Sequence, residues 1–493
     1  MTDEADALVV GSGPNGLAAA VVLVAAGLRV VVYEGGPTAG GGCRTEPLTL
    51  PGFIHDVCSA AHPLAVASPF FRRFDLAARG VRLLQPEFAF AHPLGGDRAV
   101  AVWPSVGETA LELGPDAKRY RRLFGPLVRR EDRIVDAVLS SMRAVPRYPL
   151  EAASFAFRGL RSASAVAKRF ETARARSLIA GVSAHAMLPL DQPLTGGAGL
   201  LLATLAHGVG WPVVGGGSAR IIDAMVAALE AAGGELRTGV SVRSLSELPP
   251  ARAVLLDVTP RALIDLAGDR LPPSYRRQLA RFHYGAGVCK VDWALAGPVP
   301  WSAEMCRTAG TLHLGGSFEE IAHAEAEVAA GRHAESPYVL TVQPCVVDPS
   351  RAPAGQHTLW TYCHVPAGST LDVTESIAAQ IERFAPGFRD LVLGASTRTA
   401  AEQEAHNPNY VGGDIAAGTQ DLRQTFVRPA LRWNPYRVPI EGHYLCSSST
   451  PPGPGVHGRC GELAALSALR DVFGVRQSPD LGPVPRPTGT SAR

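Results

Sequence analysis

The chain has 493 residues, 46% of them hydrophobic and 19% charged, with a formal net charge of +2. Such a length holds roughly two or three domains with sizeable cores. The apolar content excludes a disordered chain, and the near-zero charge excludes a dedicated polyanion binder, so no nucleic-acid partner is expected. Cysteines stand at 43, 58, 289, 306, 345, 363, 446 and 460, with no Cys-x-x-Cys and no Cys/His pairing at zinc spacing. They read as free thiols in a reducing compartment, not as a disulfide framework or a metal site. The acidic start MTDEADAL enters an apolar run at once, and the apolar stretch 16–28 is shorter than a bilayer needs. The expectation is a cytoplasmic chain without a membrane span.

Residues 7–34 read ALVVGSGPNGLAAAVVLVAAGLRVVVYE. An apolar run ends in Gly11, Gly13 and Gly16 at Gly-x-Gly-x-x-Gly spacing, with Pro14 and Asn15 between the last two. A helical stretch to Ala26, a second apolar run from Val30 to Tyr33 and then Glu34 complete a βαβ unit. A pyrophosphate seated on the first turn of the helix needs this spacing. Gly11 permits the tight turn, Gly13 removes a side chain, and Gly16 lets helix approach strand. Free amides and the positive end of the helix dipole hold the anion, and Glu34 is placed to accept ribose hydroxyls.

A second glycine turn, Gly40, Gly41 and Gly42, is followed by Arg44 and Thr45. Arginine reaches phosphate oxygens bidentately, so this turn predicts a cofactor larger than NAD, with the chain lying along its pyrophosphate from two sides. His55, Asp56, Cys58 and His62 follow, at no spacing that supports a metal. His62 reads as pocket lining beside the cofactor; the alternative for the group is core or turn.

From about 106 to 188 apolar residues recur three and four apart, predicting helices rich in arginine at 158, 161, 169, 174 and 176. One reading is a basic face resting on a membrane; the other is an ordinary solvated face. Next, GWPVVGGGSARIID opens a helix at Gly215–Gly217 without a strand directly before the glycines, so no second nucleotide site is expected. A strand through Val242 and another over 253–257 rejoin the first domain. The stretch GAGVCKVDWAL alternates as a strand, with Val288, Lys290, Asp292 and Ala294 on one face. Lys290 is either an ion-pair partner of Asp292 on a solvated face or an amine held near a reactive centre. Strands between 335 and 375 and a helix over 373–384 suggest an antiparallel floor to a second domain. The loop 406–418 carries Asn407, Asn409, Gly413 and Asp414, and loops on a rigid scaffold often carry sites. A strand to Cys446, a Pro/Gly turn with Gly455 and Val456, and a helix from about Gly458 provide a second dipole that favours developing negative charge. The Pro/Ser/Gly-rich tail from 476 is expected to be disordered.

Taken together, GSGPNGLAAA with Glu34, the GGGCRT turn running into LPGFIHDVCSAAHP, the GWPVVGGGSA opening and STPPGPGVHGRCGELAA resemble the phytoene desaturase-like FAD oxidoreductases. Within that flavin amine oxidase superfamily, the chain is most similar to the branch of pyridine nucleotide-disulfide oxidoreductase domain-containing protein 2. The resemblance implies an α/β fold: a three-layer, Rossmann-like FAD-binding domain on a parallel sheet with an inserted α+β substrate domain. The FAD domain would comprise 1–85, 205–275 and 430–475, and the substrate domain 86–204 and 276–429. Gly11, Gly13, Pro14, Asn15, Gly16 and Glu34 would bind the ADP half, with Val242 at the adenine. Gly41, Gly42, Arg44 and Thr45 would lie along the phosphates, and Gly455, Val456 and His457 at the flavin end. Lys290 and His62 would be the catalytic candidates, and His55, Asn409, Gly413 and Asp414 would touch substrate. The implied activity is hydride removal from a saturated carbon of a small apolar substrate, with oxygen or a quinone as acceptor and the membrane as a peripheral contact. Amine oxidation, redox-neutral isomerisation and a non-catalytic escort role are the alternatives.

Overall fold

The computed structural model describes residues 5–140 and 145–483. The apolar runs of the opening motif become the strands Ala7–Val10 and Val30–Tyr33, joined by the helix Pro14–Ala25. They sit in a five-stranded parallel sheet in the order 443–445, 253–256, 7–10, 30–33, 235–237. Short aliphatic strands without alternation suit a parallel sheet buried on both faces, and helices cover both here. One face packs Leu17, Ile221, Leu229 and Leu469 from the helices Pro14–Ala25, Ala219–Ala231 and Arg459–Val472. The other face packs Leu8, Val10 and Leu256 against Leu263 and Leu279 from the helices Pro260–Ala267 and Pro273–Leu279. The helix Pro14–Ala25 is apolar on nearly every side because the helix Arg459–Val472 crosses it closely. A Cβ on Gly461 would stand 1.8 Å from the carbonyl oxygen of Asn15.

A second sheet of seven strands runs in the order 392–398, 287–295, 357–365, 339–342, 309–314, 88–95, 98–101. The expected antiparallel floor is found, with one exception: 309–314 lies parallel to 88–95. The chain joins those two strands only after the whole helical insertion, and so can enter in the same direction. One face of this sheet packs Trp293, Trp301, Phe384 and Phe388, and the other faces the helices of 106–208.

Those helices carry the expected arginines, three of which are engaged within the fold. Arg174 donates to the Glu112 carbonyl at 2.9 Å, Arg158 to that of Ser154 at 2.9 Å, and Arg176 pairs with Glu319. Among the described residues no helix is long and apolar enough to cross a membrane.

Three expectations change. The strand predicted through Val242 stops at Arg237, because the backbone N–H groups of Gly239 and Val240 turn aside to the carbonyls of Gly36 and Glu34, both at 2.8 Å. A two-residue strand, Val213–Val214, does precede the glycines at 215–217, but it pairs antiparallel with Leu83–Leu84 in a separate ribbon. The beginning of the tail is irregular yet docked. Leu481 is 2% exposed, and its carbonyl accepts from Arg79 at 3.0 Å. The rest of the tail, from 484, lies outside the described residues.

Candidate active site

A cavity of about 1210 Å³ starts at the C-terminal ends of the parallel strands and continues under the second sheet. Parallel sheets place ligands at that end. At its head the glycine turn is held by contacts that only glycine allows. Gly11 has φ of 96°. A Cβ on Gly16 would stand 2.0 Å from the Gly11 carbonyl oxygen, and one on Gly13 2.8 Å from Asp257 Oδ2. The turn delivers the open amides of the helix start to the cavity, with Pro14 and Asn15 in the wall. Opposite, Glu34 is fixed at the end of its strand. Its carboxylate accepts from the Ser12 N–H at 2.8 Å and from the Gly36 N–H at 2.7 Å. Val242 lines the far side.

Asp257 was not singled out in the sequence, since a lone aspartate at the end of a strand carries no pattern. It lies directly beneath the glycine turn, where Oδ2 accepts from the Gly16 N–H at 3.0 Å. Burial pushes its carboxyl up to about 7; the Gly16 N–H opposes this and the nearby Glu34 charge adds to it. Asn409, from the polar loop, braces the same strand end: its amide nitrogen donates to the Asp257 carbonyl and its oxygen accepts from the Thr259 N–H, both at 3.0 Å.

Further along, the second glycine turn forms the wall. A Cβ on Gly41 would stand 3.3 Å from Gly13 Cα, and one on Gly42 only 2.1 Å from Tyr410 Oη, so the two glycine turns and the loop after 406 close on one another. Arg44 donates to the Gly41 carbonyl at 3.0 Å and lies 2.6 Å from His406 Nε2. His62 also lines the cavity. Ser218 Oγ donates its one proton to the Ser59 carbonyl at 2.6 Å, so His62 must donate through Nε2 to Ser218 Oγ at 2.7 Å. That leaves His62 Nδ1 as a buried acceptor with no partner among the described residues. Burial lowers the His62 imidazole to about 4, with Asp56 opposing, so it is a neutral base at physiological pH.

Beyond this point the wall becomes apolar and aromatic, with Trp211, Leu201, Leu340, Val342, Trp360 and Tyr362. Trp211 is oriented by a hydrogen bond from Nε1 to Thr311 Oγ1 at 3.0 Å. Gly455 and Val456, from the turn before the last helix, complete the cavity.

Several predicted residues stand behind the wall. Lys290 and Asp292 share a strand face, as the alternation predicts, and form an ion pair. That face is not solvated: all nine residues of Gly287–Leu295 are buried, and the lysine is flanked by Tyr362 and Arg398, which do reach the cavity. His55 bonds Thr49 Oγ1 at 2.8 Å and approaches Asp292 at 3.6 Å. Burial, with help from the Lys290 charge, lowers it to about 3. Thr45 is spent on Asp56, to which it donates at 2.8 Å. Asp414 accepts from the backbone N–H groups of Gly285, Ala416 and Gly418 at 2.7–2.8 Å and pins its loop, while Gly413 packs on Ala400. His457 Nδ1 accepts from the Arg459 N–H at 3.0 Å, so the ring orders the start of the last helix. Arg398, His185 and Tyr410 were missed. Each enters the wall from a segment whose local sequence looks like an ordinary strand end, helix turn or loop.

Residues 9–74 match the family of NAD(P)-binding Rossmann-like domains. Along 95% of its length the chain is similar to pyridine nucleotide-disulfide oxidoreductase domain-containing protein 2 of Rattus norvegicus, with 26% identity over 555 aligned residues and 94% of that protein covered. The Mus musculus counterpart is 25% identical over the same shares of the two chains. The chain is a homologue of these proteins. Among solved structures, an oxidoreductase from Methanosarcina mazei superposes with a TM-score of 0.64 at 15% identity, over 94% of this chain and 100% of that one. Wild-type putrescine oxidase bound to putrescine gives 0.62 at 17%, over 96% and 99%. These likenesses show the fold, that of the flavin amine oxidases: a parallel Rossmann-like sheet with a mixed-sheet domain attached.

Proposed function

We propose that the chain is an FAD-dependent oxidoreductase that removes a hydride from a saturated carbon of a largely apolar molecule. The observation that carries this reading is the continuity of the cavity, from a glycine cradle to an aromatic chamber, in a volume above the roughly 300–1,000 Å³ of ordinary small-ligand pockets. The residues fit the group. The Gly11–Gly16 turn and its helix would hold the pyrophosphate, Glu34 the ribose, Val242 the adenine, Arg44 the phosphate side, and Gly455 and Val456 the flavin end. Bound there, FAD supplies the two-electron acceptor. Trp211, Trp360, Leu340 and Val342 exclude water and orient the apolar body. His62, neutral with a bare Nδ1, takes the proton that leaves beside the hydride.

Desaturation is favoured over amine oxidation by charge. Among the described residues the acids in the cavity wall are Glu34, Glu46, Asp257 and Asp265, and none belongs to the aromatic chamber segments. A protonated amine would find no counterion there.

The test is the visible spectrum of the purified protein before and after acid precipitation. Flavin bands released to the supernatant, and bleached anaerobically by an apolar C–H donor but not by an amine, are the expected result. A colourless protein that takes up no added FAD would overturn the reading in favour of an escort role. A pH profile of FAD binding provides a second check. Asp257 titrates with a folded-state value raised to about 7, facing Glu34, Cys446 and Cys460. As an acid shifted upward, it contributes stability that is fully present below its unfolded value and lost as pH rises through about 7. Ionisation also puts a charge under the cradle. FAD affinity is therefore expected to fall as pH rises from about 6 to 8, by up to about tenfold per unit above the transition. Asp257→Asn should flatten that slope; a flat wild-type profile would remove Asp257 from the binding equilibrium.

A further inference from the structure

Three cations gather at the middle of the cavity wall: Arg44 and Arg398 line it and Lys290 stands just behind it. Together with burial, which dominates, they hold the His406 imidazole down at about 4. Two of the three are answered within the fold. Arg44 has the Gly41 carbonyl, His406 and, at 3.7 Å, Glu46. Lys290 has Asp292. Arg398 is different. It closes the edge strand Val392–Arg398, lies in the cavity wall, and makes no side-chain hydrogen bond or ion pair among the described residues. Its Nη1 is fully buried and unsatisfied.

A guanidinium that lines a largely apolar chamber with no anion beside it is costly unless a ligand supplies one, and its planar fork matches a carboxylate. The register fixes what lies around it. Arg398 and Tyr362 pair with Lys290 from opposite sides, so the two wall residues stand about 10 Å apart, twice the strand spacing. Trp360, two residues from Tyr362 on the same strand face, continues the apolar surface.

We propose that Arg398 is the substrate anchor and that the chamber takes an amphipathic organic acid, its carboxylate on Arg398 and its apolar body along Tyr362, Trp360 and Trp211. This refines the oxidoreductase reading, on which it rests for the word substrate; the anion site itself is a property of the wall. An acid so held presents its hydrocarbon part to the dry end of the cavity, while the fork fixes which end enters first. The anchor also explains how a pocket without chamber carboxylates would discriminate: an amine is repelled, a neutral hydrocarbon leaves the arginine unpaired, and an acid satisfies it.

The experiment is calorimetric titration of the purified protein, its flavin content recorded by absorbance, with 4-phenylbutanoate and with the isosteric 4-phenylbutanamide. For the wild type the acid should bind at least about 10-fold more tightly than the amide. Arg398→Met should erase that preference while leaving amide affinity within about threefold, and Arg398→Lys should keep part of it, which controls for folding. Equal binding of acid and amide by the wild type, binding of neither, or an Arg398→Met variant that keeps its preference would each overturn the proposal. So would an Arg398→Met variant that loses flavin and keeps the acid preference, since that assigns the arginine to the cofactor. A wild type devoid of flavin that still prefers the acid would fail the oxidoreductase reading and leave the anion site standing.

Discussion

Gly16→Ala will abolish dinucleotide uptake, lowering affinity by at least about 100-fold, equivalent to about 2.7 kcal/mol. The added Cβ would stand 2.0 Å from the Gly11 carbonyl oxygen and 3.1 Å from Asp257 Oδ2. Neither neighbour can retreat. Gly11 is locked at φ of 96° by its turn, and its N–H is tied to the Tyr33 carbonyl at 2.8 Å. Asp257 is the end of a central strand paired with 7–10. The helix must therefore lift off the sheet, taking with it the amides that face the pyrophosphate and loosening its crossing with the last helix at Gly461. Gly297, where a Cβ would meet nothing within 4 Å, is the control, and Gly297→Ala should bind normally. Fluorescence titration with FAD reads both. Affinity within threefold of wild type for Gly16→Ala would show that the turn is not the cradle.

The second large effect is on folding. Arg351→Met should destabilise the protein by about 3–5 kcal/mol, the range for stranding buried charge. Arg351 is fully buried and donates to Asp348 Oδ2 and Asp56 Oδ2, both at 2.9 Å, and to the Val214 carbonyl at 3.2 Å. The two carboxylates in turn hold the glycine turn at 215–218: Asp348 accepts from the Gly216 N–H and Asp56 from the Ser218 N–H, both at 2.7 Å. Ser218 is the residue that fixes the tautomer of His62. The loss therefore reaches the site through a chain of hydrogen bonds. Burial pushes both carboxyls up, but for Asp56 the Arg351 charge and the Ser218 N–H, and for Asp348 the Ser350 hydroxyl, the Gly216 N–H and then Arg351, outweigh it and leave both below their ordinary value. Depressed carboxyls contribute stability that is present above the unfolded value and lost as pH falls through the folded one. The variant should thus be most damaged near neutrality, with the gap to wild type closing in acid. Urea midpoints at neutral pH and near pH 3 test this; a loss below about 1 kcal/mol at neutral pH would show that the network does not hold the turn.

How much of this was legible in sequence follows from how local each signal is. The βαβ start could be read because strand, turn, helix and acid lie within one short stretch, and each glycine answers to a contact inside that stretch or to its sheet. The alternation of 287–295 put Lys290 and Asp292 on one face, as the structure has them, but left open whether that face is solvated. The cover over that face comes from His55 and Cys58 and from the flanking strands, which periodicity in one strand cannot reveal. Asn409 was singled out because its loop is too polar to be mere connection; in the fold its amide braces the strand end at Asp257 and Thr259. Asp414, in the same loop, spends its carboxylate on backbone N–H groups, a role with the same composition signature. Arg398 and Asp257 were invisible: an arginine and an aspartate at strand ends look like solvated termini until the fold shows that both ends point into one cavity. Of the chamber aromatics, Trp360 and Tyr362 share one strand while Trp211 comes from a segment far away in the chain, and only the fold brings the two segments together.

The order of strands in the parallel sheet also says something about how the molecule is made. Residues 7–10 pair with 30–33 at once, but their other neighbour is 253–256, and that strand's outer partner is 443–445. A chain leaving the ribosome therefore carries its nucleotide turn with an open sheet edge until residues 253–256 have followed, and the helix that crosses that turn at Gly461 comes later still. Pairings of such sequence separation close slowly, and an unpaired edge is a template for wrong partners. The glycine turn is thus finished long after it is read, and its seat comes into being only when segments far apart in the chain meet.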